Sequence, residues 1–467
     1  MTSVVWCVVI SVPTEVSPMK MVVDCRLEVN IKSERANANE IFDEVGKAAR
    51  EMAGKLALAI VKEYQDQVVE VLCDRRGRGA KKGLGGHEVK GAEGRRCACR
   101  RFRRAGYWKE TRGLRGEWCS VEFRPRLVEC KQCGKRVTPV LEALELDRYE
   151  WRTEGLLRKT MEAVADTSYR RGSAQLDRLA EVPVAKSTAH RWAASVEWPV
   201  SQGSGKPFLG ADGTGFQKQP GQRGDVRLVL EIGDKGDIRP LGVWAGTGWE
   251  QISQEVKRGL KERPRLLVSD GERGLENWMG RVVKRTVRSH WHFARDSGFA
   301  LWRDGATLAE RQTVQGRLGR MLAIEVNEKD LEWVSAEDRQ TIRDRIGVAE
   351  KELDQLREEF EQKGYPKAAT YLAHARDRLF NHLRLWLETG IIAPRTASIV
   401  ENIIRELVRR LKKVGWNWSD AGATRIGRVV MMRRYDPEGW QDFWMKRMNL
   451  QGRCVITLTR FQAKRAA

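Results

Sequence analysis

Between residues 206 and 270 the hydrophobic period of the chain changes from that of helices to that of strands, and this change limits the possible folds more than any other feature. KPFLGAD (206–212), DVRLVLEIG (225–233) and DIRPLGVWAG (237–246) are rich in apolar and β-branched residues, and Gly-Asp-Lys-Gly-Asp (233–237) supplies a hairpin turn between the last two. A helical pattern from Trp249 to Glu262 follows, and then Arg265-Leu-Leu-Val-Ser269 runs as an apolar strand into Asp270-Gly271. The first strand breaks in the same way: Phe208-Leu-Gly-Ala211 delivers Asp212 and then Gly213-Thr214-Gly215. Two strands that read as buried therefore each end in one carboxylate.

Three strands, a helix and a fourth strand that ends in an acid follow the order of an RNase H-like core, an α/β fold built on a mixed sheet whose first and fourth strands lie side by side. That adjacency predicts that Asp212 and Asp270 meet at one edge of the sheet. Paired carboxylates hold divalent cations. Phosphoryl transfer on DNA uses two such ions roughly 4 Å apart, one activating the attacking oxygen and one stabilising the leaving oxygen. Gly213, Gly215 and Gly271 would let a backbone come close. A third acid is expected from a helix beside these strands, and TASIVENIIRELVRRLKK offers Glu401 and Glu406. They diverge by about 140° around a helix, so only one can face the metals; Glu401, beside Ile399 and Val400 near the helix start, is the expected one. Taken singly, each acid reads as a solvated turn or helix residue, and Asp225, Asp234, Asp237 and Glu272 are assigned that role.

Charge points to a polyanionic partner. The 467 residues, enough for two to four packed units, carry 85 Lys and Arg against 63 Asp and Glu, a net +22. Residues 75–116 alone hold 15 Lys or Arg against 3 Glu. A disordered basic linker is the plain reading of the Gly-rich part, GRGAKKGLGG. The run Val4–Val12 is too short to span a bilayer and follows no basic residue, so no membrane segment or secretory signal is expected and a cytoplasmic protein follows. Met19 and Met21 leave open a later start of translation. Nine cysteines in a reducing compartment suggest thiols or metal rather than disulfides. Cys97-Ala-Cys99 and Cys130-Lys-Gln-Cys133-Gly134 form two tight pairs, the ligand set of one structural zinc in a ribbon-like segment, with Cys119 as a possible substitute for one member. Around them Arg100, Arg101, Arg103, Arg104, Tyr107 and Trp108 mix cations and aromatics in the manner of phosphate-backbone binders.

AQLDRLAEVPVAKSTAHRWAASV (174–196) has helix-turn-helix spacing, with Val184, Ala189, Trp192 and Val196 facing a core and Lys186, Ser187, His190 and Arg191 turned out toward a DNA major groove. Plain helical packing is the other reading. Ile41, Phe42, Val45, Met52, Leu56 and Ile60 mark an amphipathic helix whose face packs on another domain or a second copy. VEFRPRLVEC (121–130) reads as one strand. Ser335 caps a long helix to residue 363, and its seam of Ile342, Ile346, Ala349, Leu353, Leu356 and Phe360 predicts a hairpin with residues 367–388 or a dimer contact.

LGADGTGF, VSDGERG, SHWHFAR and TASIVENIIRELVRRLKKVGWNWSDAGATRIGRVVMMR together resemble the successive blocks of DDE transposases of prokaryotic insertion sequences, in the mutator-related branch, over most of residues 120–445. The resemblance implies an RNase H-like catalytic core with an all-helical insertion between the second Asp and the Glu, and it carries the acidic triad onto Asp212, Asp270 and Glu401. It further implies two magnesium or manganese ions, attack by water without a covalent protein intermediate, and strand transfer by the freed 3′-hydroxyl. Asp212 would then serve both ions. Double-stranded DNA, as element ends and target, is the implied partner, and synapsis of two ends implies at least a dimer. Members often carry a Cys or Asp three residues before a His; here His292 matches and Ser289 stands in the other place, with a structural His290/His292 pair as the alternative. Trp416 and Trp418 also match, as core packing or base stacking. The expected organisation is an N-terminal strand and amphipathic helix (1–72), a basic zinc-ribbon-like segment (73–136), a helix-turn-helix domain (137–200), the catalytic core (201–294 and 395–450) split by the helical insertion (295–394), and a basic tail (451–467). The rival expectations are a transposase-derived DNA-binding protein without catalysis and an RNase H-like nuclease that cuts without joining.

Overall fold

The computed structural model describes residues 37–73, 96–97, 101–146, 151–180, 182–326, 331–413 and 417–450, and the backbone alone of 4–13, 18–27 and 455–461. The chain is mixed α/β and forms two compact units, one of residues 1–164, 169–189 and 441–467, the other of 165–168 and 190–440. Among the described residues no helix is long and apolar enough to cross a membrane.

The first unit opens with β1 (Val4–Pro13) and β2 (Pro18–Leu27), which pair antiparallel, followed by α1 (Ala38–Cys73). Short strands come next: β3 (Phe102–Tyr107), β4 (Arg112–Arg115), β5 (Ser120–Phe123), β6 (Arg126–Cys130) and β7 (Arg136–Val137). The segment expected as one strand over 121–130 is thus two, because Pro125 can donate no ladder hydrogen bond and the chain bends there. β3, β6 and β7 form one antiparallel sheet and β4 and β5 another. The C-terminal half of α1 closes this region, burying Val68, Val69 and Leu72 against Phe102, Val128 and Cys130. Gln65 adds polar stitching: its amide bridges the backbone of Arg124 and Arg126. At the N-terminal end of α1 Ile41, Phe42 and Val45 are exposed within this chain, and the buried surface of the helix begins at Val61. Four helices follow, α2 (Pro139–Ala143), α3 (Glu154–Ala165), α4 (Tyr169–Ala180) and α5 (Lys186–Ser195).

The second unit is built on β8 (Phe208–Lys218), β9 (Gln222–Ile232), β10 (Ile238–Ala245), β11 (Leu266–Ser269) and β12 (Arg285–Arg288), with α6 (Trp249–Gly259) and α7 (Arg273–Met279) between them. The sheet order is β10-β9-β8-β11-β12; β9 runs antiparallel to β8 and β10, whereas β11 runs parallel to β8 and β12. Strand alternation sorts the two faces. Leu209, Ala211, Val229 and Leu267 pack with α6 and α7, while Gly210 turns to the opposite face. β8 does not stop at Asp212 as its glycines suggest. It continues to Lys218, paired throughout with β9, so Asp212 lies within the strand.

A helical block then follows: α8 (His290–Arg303), α9 (Leu308–Leu322), α10 (Ala336–Gln362), α11 (Pro366–Leu379) and α12 (Asn381–Thr389), with a short 3-10 turn at Leu331–Trp333. Ser335 Oγ accepts from the Asp338 amide to start α10, and the seam from Ile346 to Phe360 is buried against Ala368, Leu372 and Ala375 of α11. The seam is therefore satisfied within the chain. The chain returns to the sheet through α13 (Ser398–Leu411) and α14 (Asp420–Tyr435), then α15 (Pro437–Met448) and β13 (Val455–Phe461). β13 corrects the expectation of a tail at 451–467: this β-branched segment pairs antiparallel with β1 as the edge of a three-stranded sheet.

Candidate active site

Asp212 lies within β8, and Asp270 stands one residue past the end of the neighbouring parallel strand β11. The register pairs Val268 with Gly210, and two residues further along the chain from each stand the two acids. Gly210 fixes the third partner. A Cβ at this position would collide with Val400 Cγ2, so α13 can settle onto β8 only because the side chain is missing. Val400 is buried in that contact, and Glu401 follows it in the first turn of α13. Glu406, the alternative, is held elsewhere by Arg434 and Arg409.

The electrostatics record the convergence. Burial, the negative charge of Asp270 and, more weakly, those of Glu401 and Glu272 push the Asp212 carboxyl up to about 7, against a 2.6 Å hydrogen bond from the Gly213 amide. Asp270 accepts from the Glu272 amide at 2.9 Å. His292 Nε2 stands 3.5 Å from Glu401 Oε1. Its other ring nitrogen, Nδ1, is 3.1 Å from Ser289 Oγ, and that oxygen also accepts from the Ala397 amide at 3.2 Å, just before α13. A carboxylate can only accept, so a neutral ring that turns Nε2–H toward Glu401 has Nδ1 left to accept from the Ser289 hydroxyl. Burial and then Arg295 lower the His292 pKa, which keeps the ring neutral. The two histidines part company here: His290 is buried, Nε2 2.9 Å from the Leu379 carbonyl and its ring edge-on to His382.

Glu272 is exposed, as assigned from sequence, and stands beside this cluster. Gly271 has φ +101°, a left-handed turn that brings residues 270 and 272 back toward one edge. Trp249 Nε1 donates to Glu272 Oε1 at 2.9 Å, the other oxygen faces Gly213, and burial raises the pKa. The Asp-Gly-Glu spacing was the only available signal. At the rim, Lys412 Nζ donates to Thr214 Oγ1 at 2.8 Å, and Arg295 lies over Trp291 at 4.8 Å. Trp418 is buried beneath Arg410, a packing role; Trp416 lies outside the described residues.

A second cluster sits in the first unit. The sulfurs of Cys97, Cys130 and Cys133 all lie within 4.8 Å of one another, with Cys97 and Cys130 at 3.8 Å, a group able to hold a metal such as zinc. Cys130 ends β6, and Gly134, at φ +70°, donates its amide to the Cys130 carbonyl at 2.9 Å, the turn that returns Cys133 to the group. Cys99 and Arg100 lie outside the described residues. Cys119 is not in the group; it rests beside Gly54 of α1. Among the described residues no other trio of potential ligands is as close, so the three carboxylates are spread more widely than the thiols.

Of the expected DNA contacts, Lys186, Ser187, His190 and Arg191 are exposed, while Val184, Ala189, Trp192 and Val196 are buried. Arg101 and Arg104 are exposed; Arg103 pairs with Glu129, which also accepts from Arg136. The chain matches no protein-family model and no curated protein.

Proposed function

We propose that this chain is a metal-dependent DDE transposase that binds the ends of a mobile DNA element and catalyses cleavage and strand transfer through an RNase H-like core. The observation that carries the reading is the grouping of Asp212 on β8, Asp270 just past the end of β11 and Glu401 in the first turn of α13, around a carboxyl that burial first, and then the charges of Asp270 and Glu401, raise to about 7. A sheet of order β10-β9-β8-β11-β12 with only β9 reversed supports the RNase H-like assignment.

Clustered anions at a surface that must meet phosphate work against binding unless cations join them. Asp212, Asp270 and Glu401 would hold two magnesium or manganese ions, which when bound supply a deprotonated water and charge neutralisation at the phosphoryl oxygens. Asp212, repelled by both other acids, takes part in both halves of the site. The His292 Nε2–H orients Glu401, and Ser289 fixes the ring by tying it to the start of α13. Lys412 and Arg295 offer positive charge at the rim. Helices α4 and α5, the basic strands around the cysteine group and a second copy of the chain would supply recognition and synapsis of the ends; the cysteine group would hold a structural zinc.

The test is a cleavage and strand-transfer assay on DNA that flanks the coding sequence, with magnesium or manganese. Asp212→Ala is expected to lower cleavage by about a thousandfold or more while leaving DNA binding intact. Binding by the parent without any cleavage would support a regulator in place of an enzyme. Nicked product without joined product would support a nuclease.

A further inference from the structure

Beside Asp270 the second unit has a cleft of about 620 Å³ between α7, α8 and α11. Five cations line it, Arg273, Arg288, Arg303, Lys367 and Arg378, against a single carboxylate, Glu276. That carboxylate is spoken for. It is buried, salt-bridged by Arg288 at 3.1 Å and by Arg378, and accepts from Ser269 Oγ at 2.8 Å. These groups form a neutralised floor. The rim is different: the side chains of Arg273 and Arg303 are exposed and have no hydrogen-bond or ion-pair partner among the described residues, and Lys367 reaches only the Arg303 carbonyl at 2.9 Å and Asp304 at 3.9 Å. Like charges gathered at a concave surface raise the local potential and gain stability when an anion enters.

We propose that this cleft binds the phosphodiester backbone of the DNA strand that enters the carboxylate site. The proposal rests on the transposase reading and extends it by giving the strand a path. Backbone rather than base recognition follows from the lining. Of the two rings in the lining, Tyr371 is packed on Phe293 at 5.8 Å and lies under Arg288 at 5.6 Å, and His374 is an exposed imidazole, so the five cations, not the rings, dominate what the cleft offers a ligand. Continuity with the acids is direct. Gly271 forms part of the wall, and Arg288 donates to the Asp270 carbonyl at 3.5 Å. A strand whose scissile phosphate sits at Asp212 and Asp270 would carry its neighbouring phosphates past Gly271, where no side chain obstructs it, and into reach of Arg273, Arg303 and Lys367.

The experiment uses the full chain and a triple rim variant, Arg273→Ala with Arg303→Ala and Lys367→Ala, whose exposed positions leave the floor untouched. Affinity for duplex flanking DNA is measured by fluorescence anisotropy over a salt series, cleavage is followed in parallel, and thermal melting checks the fold. Each phosphate contact contributes about 0.9 to the slope of log affinity against log salt, so the triple variant, which lacks three cations, is expected to be shallower by about three. Its cleavage should fall by about tenfold or more through misplacement of the strand. Asp212→Asn, by contrast, should lose cleavage and keep the parent's slope. A triple variant with the parent's slope and cleavage overturns the proposal, and so does phosphorus NMR showing rim-dependent binding of inorganic phosphate with no change in the DNA slope. A parent that neither binds nor cleaves this DNA removes the transposase reading and the inference with it.

Discussion

The thiol cluster of this protein and the carboxylate group proposed as its cation site are built on opposite electrostatic principles. In the first unit three thiols, neutral when protonated, pack within 4.8 Å of one another around the end of one strand. In the second, three carboxylates from β8, the end of β11 and α13 stay further apart, and burial first, then the charges of Asp270 and Glu401, raise the pKa of Asp212. A thiol group can close before metal arrives and lose its protons to the metal. A carboxylate group stays open and strained until cations neutralise it. The first arrangement suits a structural ion that holds a small region of short strands together; the second suits ions that come and go with a phosphate substrate.

That contrast breaks most decisively if the thiol cluster proves dispensable. Zinc chelation or Cys130→Ser is expected to unfold the region around β3 and β6, since Cys130 belongs to the same small core as Val68, Leu72, Phe102 and Val128 and metal binding supplies about 10 kcal/mol in small zinc folds. Circular dichroism and zinc analysis check this; full retention of the fold with no zinc bound contradicts it. Chelation at the carboxylates should leave the second unit folded.

Gly210→Ala tests how the second cluster is assembled. A methyl group there meets Val400, and overpacking of this kind costs about 1–3 kcal/mol. Cleavage should fall further than stability accounts for, because Glu401 moves with α13. Loss of stability with unchanged cleavage per folded molecule would show that Glu401 is not a ligand.

A smaller effect is expected from pH. A carboxyl whose folded pKa is raised to about 7 binds protons in the folded state that it has released in the unfolded state, so metal-free stability should decline as pH rises from about 4 through 7. Manganese should reverse the decline. Asp212→Asn should remove this component of the pH profile, which differential scanning calorimetry can resolve. The smallest change belongs to His292→Ala, expected to lower cleavage by about tenfold with unchanged DNA affinity, through a less well oriented Glu401.

Much of the second unit was legible in the sequence because its signals are local. The period-two strands, the Gly-Asp-Lys-Gly-Asp turn, the Ser335 cap and the α10 seam each specify themselves. The adjacency of Asp212 and Asp270 could be argued from strand order. Other parts depend on contacts distant in sequence. Nothing near Glu272 says that Gly271 turns it back toward the acids, and nothing near Ser289 says that its hydroxyl meets the start of α13 more than a hundred residues later. β8 was read as ending at Asp212 because glycines weaken a strand, yet pairing with β9 holds it to Lys218. The strand within the C-terminal segment escaped for the same reason, since a β-rich stretch does not name its partner.

The central claim, that Asp212, Asp270 and Glu401 form one cation site, is tested most directly by calorimetric titration of manganese into the parent and into Asp212→Asn near pH 8, both purified with zinc and without magnesium or manganese so that the thiol cluster stays loaded. The parent should bind manganese and melt higher with it, by about 3 kcal/mol at a hundredfold excess over the dissociation constant, while the variant should melt higher than the parent without metal and gain little on adding it. Equal manganese binding by both proteins, or none by the parent, would contradict the account.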